Sequence, residues 1–240
     1  MNWERLLSPK RFQDPNRPDI EQRSVFQRDS DRITFSAAFR RPQDKTQVHP
    51  FATSDYVRKR LTHSLEVSSV GRSLGFWLGT RLSKQNPDLL FKNPALAFDV
   101  AQIVSNACLA HDIGNPPFGH AGEEAIGSWF NVNASEEQLK NLDEHQLSDF
   151  QSFEGNAQGF RLITRLQNSI NTGGLRLTYA TLGAFTKYPA TSVQAASDDK
   201  YIGCKKYGFF KDDQDHFAEL AEDLGLIRRY NGSWCRHPLV

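Results

Sequence analysis

The amino-acid sequence predicts an all-α fold. Two stretches, 61–84 and 95–110, repeat apolar residues at the three-to-five spacing that gathers them on one helix face. Helix-breaking residues bound both: Asn86-Pro87 and Asn93-Pro94 lie between them, and Gly114 and Pro116-Pro117 follow the second. Alternating runs of the kind that mark half-buried strands are scarce, with LRLTYATL at 175–182 the one candidate.

Each element follows from local chemistry. Residues 1–24 are polar and interrupted by proline, which predicts an N-terminal arm lying over the surface, with 25–240 as the core. DSDRITFSAAF, 29–39, predicts a short helix ended by Arg41-Pro42, because proline disfavours helix in the residue before it. Residues 46–55 read as a loop. The helix over 61–84 would bury Leu65, Val70, Leu74, Trp77, Leu78 and Leu82, with Gly71, Gly75 and Gly79 permitting close helix packing. The next helix would bury Leu96, Val100, Ile103, Val104 and Ala107. Further helices are expected over 121–130, 135–147, 156–170 and 213–225.

Composition bounds the class. The 240 residues suffice for one domain with a sizeable core, and 38% hydrophobic with 24% charged residues fits a globular chain. No apolar run approaches the roughly 18 residues of a membrane span, and MNWERLLSPKRF lacks the apolar centre of a secretory signal. Cys108, Cys204 and Cys235 are far apart and form no CxxC, which points to a reduced, cytoplasmic setting. Net charge is +1 but uneven: residues 1–60 hold thirteen Lys/Arg against eight Asp/Glu. Such a basic stretch suits phosphate, of a nucleotide or of nucleic acid; a solvated surface is the plain alternative.

The chemistry concentrates at CLAHDIGNPPFGHAGEE, 108–124, and RLTHSLEV, 60–67. A helix over 63–84 is roughly 33 Å long and one over 95–111 roughly 25 Å. A short connection favours antiparallel neighbours, so the chain leaves His63, turns near 85–94 and returns His111 and Asp112 to the same end. Two imidazoles and a carboxylate form a borderline-to-hard ligand set suited to a divalent metal: Mn or Mg, with Fe, Co or Zn also compatible. His49, His145, His216 and His237 read as structural.

These residues resemble the HD-domain metal-dependent phosphohydrolases, specifically the bacterial dGTPase-like dNTP triphosphohydrolases. The resemblance runs through SAAFRRPQDKTQVHP (36–50), RKRLTHSLEVSSVGR (58–72), ACLAHDIGNPPFGHAGEEAI (107–126), FEGNAQGFRLITRL (153–166), LGAFTKYPA (182–190) and RHPLV (236–240). It implies an all-helical HD-domain fold and hydrolysis of a dNTP, dGTP foremost, to deoxynucleoside and inorganic triphosphate. It implies metal ligation by His63, His111 and Asp112, and a catalytic pair in His120 and Glu123. Arg60 would contact phosphate, Gln47 the deoxyribose, and Asn156 with the Gly155 backbone would face substrate. Pro42 stands where the family usually has leucine. Family members continue past RHPLV and supply a fourth ligand, an aspartate, from a further helix, so the resemblance implies an N-terminal part truncated before that helix. A homo-oligomer in the full-length form is a further implication, and the basic first sixty residues leave single-stranded DNA open as a partner. An HD-type nucleotidase or phosphodiesterase, or an inactive fragment acting as a nucleic-acid-binding or regulatory module, are the competing readings.

Overall fold

The computed structural model describes residues 1–13, 23–47, 57–168, 173–198 and 200–240. Among them the fold is helical with no strand; three isolated bridges, Arg11 to Thr178, Thr46 to Lys59 and Arg228 to Trp234, are the β-type pairings. Eight helices carry the argument: α1 (Val25–Thr34), α2 (Arg60–Gln85), α3 (Leu96–Ala110), α4 (His120–Val132), α5 (Glu144–Gln151), α6 (Gly155–Arg161), α7 (Tyr179–Phe185) and α8 (Gln214–Leu224). No described helix is long and apolar enough to cross a membrane.

The α2–α3 pair is the spine, and its packing departs from the expected pattern. The buried face of α2 is a row of small residues, Ser64, Ser68, Gly71, Gly75 and Gly79, closed by Leu82. A Cβ at Gly75 would lie 2.8 Å from Ala101 Cα, and one at Gly79 2.7 Å from Ala97 Cα, so the two backbones approach as only glycine allows. Ser68 adds a hydrogen bond, donating to the Ser105 carbonyl at 3.0 Å. Leu65, Val70, Leu74 and Trp77, expected inside, are instead exposed, whereas Leu82 is buried and Leu78 half-buried. Hydrophobicity misled there because closeness of approach, rather than apolar area, selects the contact face. On α3 the expected stripe holds: Leu96, Val100, Ile103 and Ala107 are buried and Val104 is half-buried.

Around the spine, α7 packs on α3 and α8 on α7. Phe12, Phe160, Phe209 and Phe217 fill the larger core. Residues 1–13, expected to lie over the surface, are built into that core: Leu6 and Phe12 are buried, and Arg11 pairs with buried Asp29 at 2.7 Å. His237 closes the other end of the chain. It donates from Nε2 to the Leu6 carbonyl at 2.9 Å and accepts the Leu239 N–H on Nδ1 at 3.1 Å. Burial pushes its imidazole down to about 4 against the opposing pull of the Leu6 bond, so this residue is a neutral tether.

Several boundaries move for identifiable reasons. The helix expected over 29–39 begins at Val25, stops at Thr34 and restarts at Ala37, because the Ser36 hydroxyl accepts the Phe39 N–H and caps a new turn. The α-helix ends at Arg40, directly before Arg41-Pro42 as expected, but Pro42 does not break the chain's turning. It sits in the first turn of a 3-10 helix, Arg41–Asp44, where a missing N–H costs nothing. The 135–147 helix is two, Glu136–Leu139 and α5, divided where Asp143 and Gln146 form a capping box. The helix expected over 156–170 starts at Gly155 and passes through a π turn ending at Leu166; residues 169–172 lie outside the described set. LRLTYATL forms no strand: Leu175 ends a turn, Arg176 takes positive φ (49°), and Thr178 makes one isolated bridge to Arg11 before its hydroxyl caps α7. The loop expected over 46–55 lies outside the described residues from 48 onward, and His49 with it.

Candidate active site

The first functional cluster forms where α2 begins and α3 ends. His63 stands in the first turn of α2, and His111 and Asp112 follow α3 directly. One donor atom from each lies within 4.8 Å of the others, so the cluster could hold a metal ion. The His63 and His111 rings meet edge-on at 5.3 Å. His111 Nδ1 is 2.7 Å from the Cys108 carbonyl, which only accepts, so Nδ1 carries the hydrogen and Nε2 keeps its lone pair toward the cluster. Asp112 is buried and doubly hydrogen-bonded: Arg60 Nη1 donates to Oδ2 at 2.8 Å and Asn115 Nδ2 to Oδ1 at 2.6 Å. Two nitrogens and a fixed carboxylate oxygen form a donor set that fits a divalent cation.

Turn geometry sets the distance to the second cluster. After Pro116-Pro117 the backbone takes positive φ at Phe118 (64°) and Gly119 (57°), then enters α4 at His120. A side chain at Gly119 would also meet the Arg60 guanidinium, its Cβ 2.6 Å from Nη2, so glycine is required there twice over.

His120 and Glu123 share the first turn of α4, with His120 Nδ1 2.8 Å from Glu123 Oε2. The two differ in burial: His120 has 80% of its side chain exposed and Glu123 only 9%. Glu123 Oε1 accepts the Gly155 N–H at 2.9 Å, and Lys206 Nζ stands 3.5 Å from Oε2. Burial works to raise the Glu123 carboxyl. The bonds from His120 and Gly155 and the charge of Lys206 outweigh it and hold the group below the usual carboxylate value. Lys206 also pairs with Glu154 at 2.7 Å, and Glu154 in turn accepts from Asn156 Nδ2 at 2.5 Å.

Both clusters open into one cavity of about 980 Å³. Gln47, Arg60, His111, Asp112, His120, Glu123 and Asn156 all line it; His63 is joined to it through the metal-type cluster rather than its own wall. Gln47 Oε1 is buried with no hydrogen-bond partner among the described residues, a polar atom facing a cavity without a protein acceptor or donor to meet it. Val70, Leu74 and Leu78 of α2 and Leu239 add apolar lining to the same cavity.

The structure adds residues that sequence reasoning passed over. Lys187, Lys205, Lys206 and Glu154 line the same cavity. Lys45 donates to the Asn115 carbonyl at 2.6 Å, and burial, followed by the charges of Arg60 and Arg41, lowers its ammonium against the pull of Asp112. Asn115 was within reach of the sequence, three residues past Asp112 on a helical turn. Lys187 sits inside LGAFTKYPA, and Glu154 next to GNAQG. Lys205-Lys206, before YGFF, carried no signal: a pair of surface-type charges is ordinary in a globular chain.

No family model matches the chain. Curated relatives do, along all of it. A Pseudomonas aeruginosa protein named deoxyguanosinetriphosphate triphosphohydrolase-like is 46% identical over 243 residues, covering 100% of this chain and 53% of the relative. One of the same name from Synechocystis sp. is 47% identical over 251 residues, covering 100% of this chain and 56% of the relative. A Klebsiella pneumoniae protein named deoxyguanosinetriphosphate triphosphohydrolase is 35% identical over 268 residues, covering 100% and 50%. The chain spans about half the length of the curated relatives it matches.

Proposed function

We propose, from the homology of this chain to the N-terminal half of the deoxyguanosinetriphosphate triphosphohydrolase-like proteins, that it carries a dNTP triphosphohydrolase site. The reaction is hydrolysis at the α-phosphorus, giving deoxynucleoside and inorganic triphosphate, with dGTP the foremost substrate. The observation that carries the reading is the meeting of three unlike groups in one cavity: the His63/His111/Asp112 cluster, the His120–Glu123 pair, and the cations Arg60, Lys187, Lys205 and Lys206.

His63, His111 and Asp112 would hold a divalent metal, Mn or Mg foremost. Such an ion would neutralise phosphate charge and acidify a water. The remaining chemistry belongs to the side chains. Water adds its oxygen to phosphorus, the bond from phosphorus to the sugar 5′ oxygen breaks, and that oxygen must gain a proton. His120, tied through Nδ1 to ionised Glu123 and exposed elsewhere, is placed to carry a proton on Nε2. Arg60 donates a single bond, from Nη1 to Asp112 Oδ2, and lines the cavity, where the remaining donors of its guanidinium suit a phosphate. Gln47 Oε1, without a partner among the described residues, suits a sugar hydroxyl, and Asn156 a polar edge of the same ligand.

The reading includes a cytoplasmic setting and a homo-oligomer, the latter supported by exposed Leu65 and Trp77 on α2, apolar residues outside the cavity wall. A nucleic-acid module, with single-stranded DNA as partner, draws on the basic first sixty residues. That support is reduced by burial of two of those cations, Arg11 against Asp29 and Arg60 against Asp112. The deciding experiment incubates the chain with Mn²⁺ and each dNTP and identifies the products. Deoxynucleoside with intact triphosphate supports the proposal; phosphate cut singly from a nucleotide means a nucleotidase, and metal-independent DNA binding with a steep salt slope means the binding module.

A further inference from the structure

Glu123 and Glu154 come from separate segments, the first turn of α4 and the cap of α6, and both are more than nine-tenths buried. They converge on one ammonium: Lys206 Nζ is 2.7 Å from Glu154 Oε2 and 3.5 Å from Glu123 Oε2. Lys206 itself comes from a third segment, far along the chain. We infer that Lys206 is a positioning residue: it locks Glu123 to the Glu154 segment so that Glu123 stays turned toward His120. The inference rests on the reading of His120 and Glu123 as the proton-handling pair.

The geometry argues for a clamp with two jaws. Glu123 Oε1 is held by the Gly155 N–H, and Gly155 is the residue after Glu154. Glu123 Oε2, the oxygen that meets His120, is steadied by Lys206, whose stronger bond is to Glu154 itself. One jaw is backbone and the other an ammonium, and both belong to or are anchored on the same two residues. Gly155 has no side chain for a physical reason: a Cβ there would stand 2.8 Å from Glu123 Oε1 and 2.5 Å from Asn115 Oδ1. Without Lys206, two buried carboxylates would face one another with only hydrogen bonds to oppose their repulsion. Burial would tend to discharge the ammonium, but Glu154 and then Glu123 raise Lys206 above the usual lysine value, so it remains charged at neutral pH. The charged and titratable groups facing Glu123 are His120 on α4, Lys206 from its loop, Glu154 across Lys206, and the Tyr207 phenol, which burial and then the charges of Asp149, Glu154 and Glu123 push up.

Because Lys206 lines the cavity, the rival role is direct contact with an anionic ligand. Lys206→Met and Lys206→Arg separate the two. For a clamp, Lys206→Met lowers kcat about tenfold at pH 7, moves the acidic limb of the kcat–pH profile up by about one unit, and changes KM less than threefold. Lys206→Arg, which keeps the charge, recovers most of kcat. A second readout needs no turnover: in ¹³C-carboxyl NMR titration, the Glu123 midpoint lies below an ordinary glutamate in the unaltered chain and rises by about one unit in Lys206→Met. Should Lys206→Met fail to fold, Lys206→Gln keeps a donor near Glu154 without charge and carries the same expectation. A shifted midpoint with no dNTP turnover in any protein upholds the clamp and removes the proposed reaction. An unmoved midpoint, or a tenfold rise in KM with the pH profile unchanged, overturns the clamp.

Discussion

The two halves of the site are built by different means. The His63/His111/Asp112 cluster sits on two helices joined through the short helix Pro87–Lys92, where the sequence suggested a loop, and locked together by glycines at 71, 75 and 79, with its carboxylate buried under Arg60 and Asn115. The His120/Glu123 pair depends on segments scattered from 120 to 206, and its histidine is open to solvent. One half is a rigid consequence of helix packing; the other is a network whose members hold one another. That contrast suits a division between holding a cation, which needs fixed donors, and passing a proton, which needs an accessible ring.

The largest expected effect tests the rigid half. Asp112→Ala removes one donor of the cluster and leaves Arg60 buried without its carboxylate, a change that costs about 3–5 kcal/mol for a buried pair. Metal analysis should find no bound Mn²⁺, and denaturant unfolding should show the loss of stability. Unchanged metal content would return the cluster to a structural role. His120→Ala tests the other half. Exposed and outside the cluster, it should leave metal binding in place while turnover falls about 10²–10⁴-fold. If metal and turnover vanished together, the two halves would be one ligand set.

The same contrast explains what could be read from sequence. His63, His111 and Asp112 were legible because a helix, a short turn and a helix have fixed lengths, so spacing alone returns the ends to one place. All-helical architecture was legible for the same reason, and the α3 stripe with it. Lys206 and Glu154 were not: their meeting depends on how α4, α6 and the segment before Phe209 pack, which no local period encodes. The face of α2 was misread because hydrophobicity counts area, whereas a glycine row sets how closely two backbones approach. The capping box at Asp143 and Gln146 was present in DEHQ and simply outweighed by the apolar positions around it.

A smaller effect sharpens the point about α2. Gly75→Val forces a side chain against Ala101 and Val100, and overpacking of this kind costs about 1–3 kcal/mol. Although Gly75 is three turns from His63, splaying α2 from α3 should also weaken Mn²⁺ binding, because the His63/His111/Asp112 cluster sits at the far end of that lever. Leu74→Ala, one residue away on the exposed face, should change stability by less than about 0.5 kcal/mol. Thermal unfolding and Mn²⁺ calorimetry on both variants make the comparison. Equal losses would mean that the outward face of α2 is as structural as the inward one.

The smallest effect concerns pH and falls on the networked half. Glu123 is held below the ordinary carboxylate value: burial opposes this, but His120, Gly155 and Lys206 prevail. A carboxyl depressed in the folded state contributes stability that is complete above its unfolded value, about 4.3, and disappears as pH falls through the folded one. Glu123→Gln forfeits that contribution at neutral pH and has none to lose in acid. The stability difference between the unaltered chain and Glu123→Gln, measured by urea unfolding, should therefore be about 1 kcal/mol at pH 7 and shrink steadily below pH 4.5. A difference that stayed constant down to pH 3 would mean that Glu123 contributes through shape and hydrogen bonding alone. The networked half would then owe nothing to charge, and the contrast with the metal-type cluster would rest on geometry only.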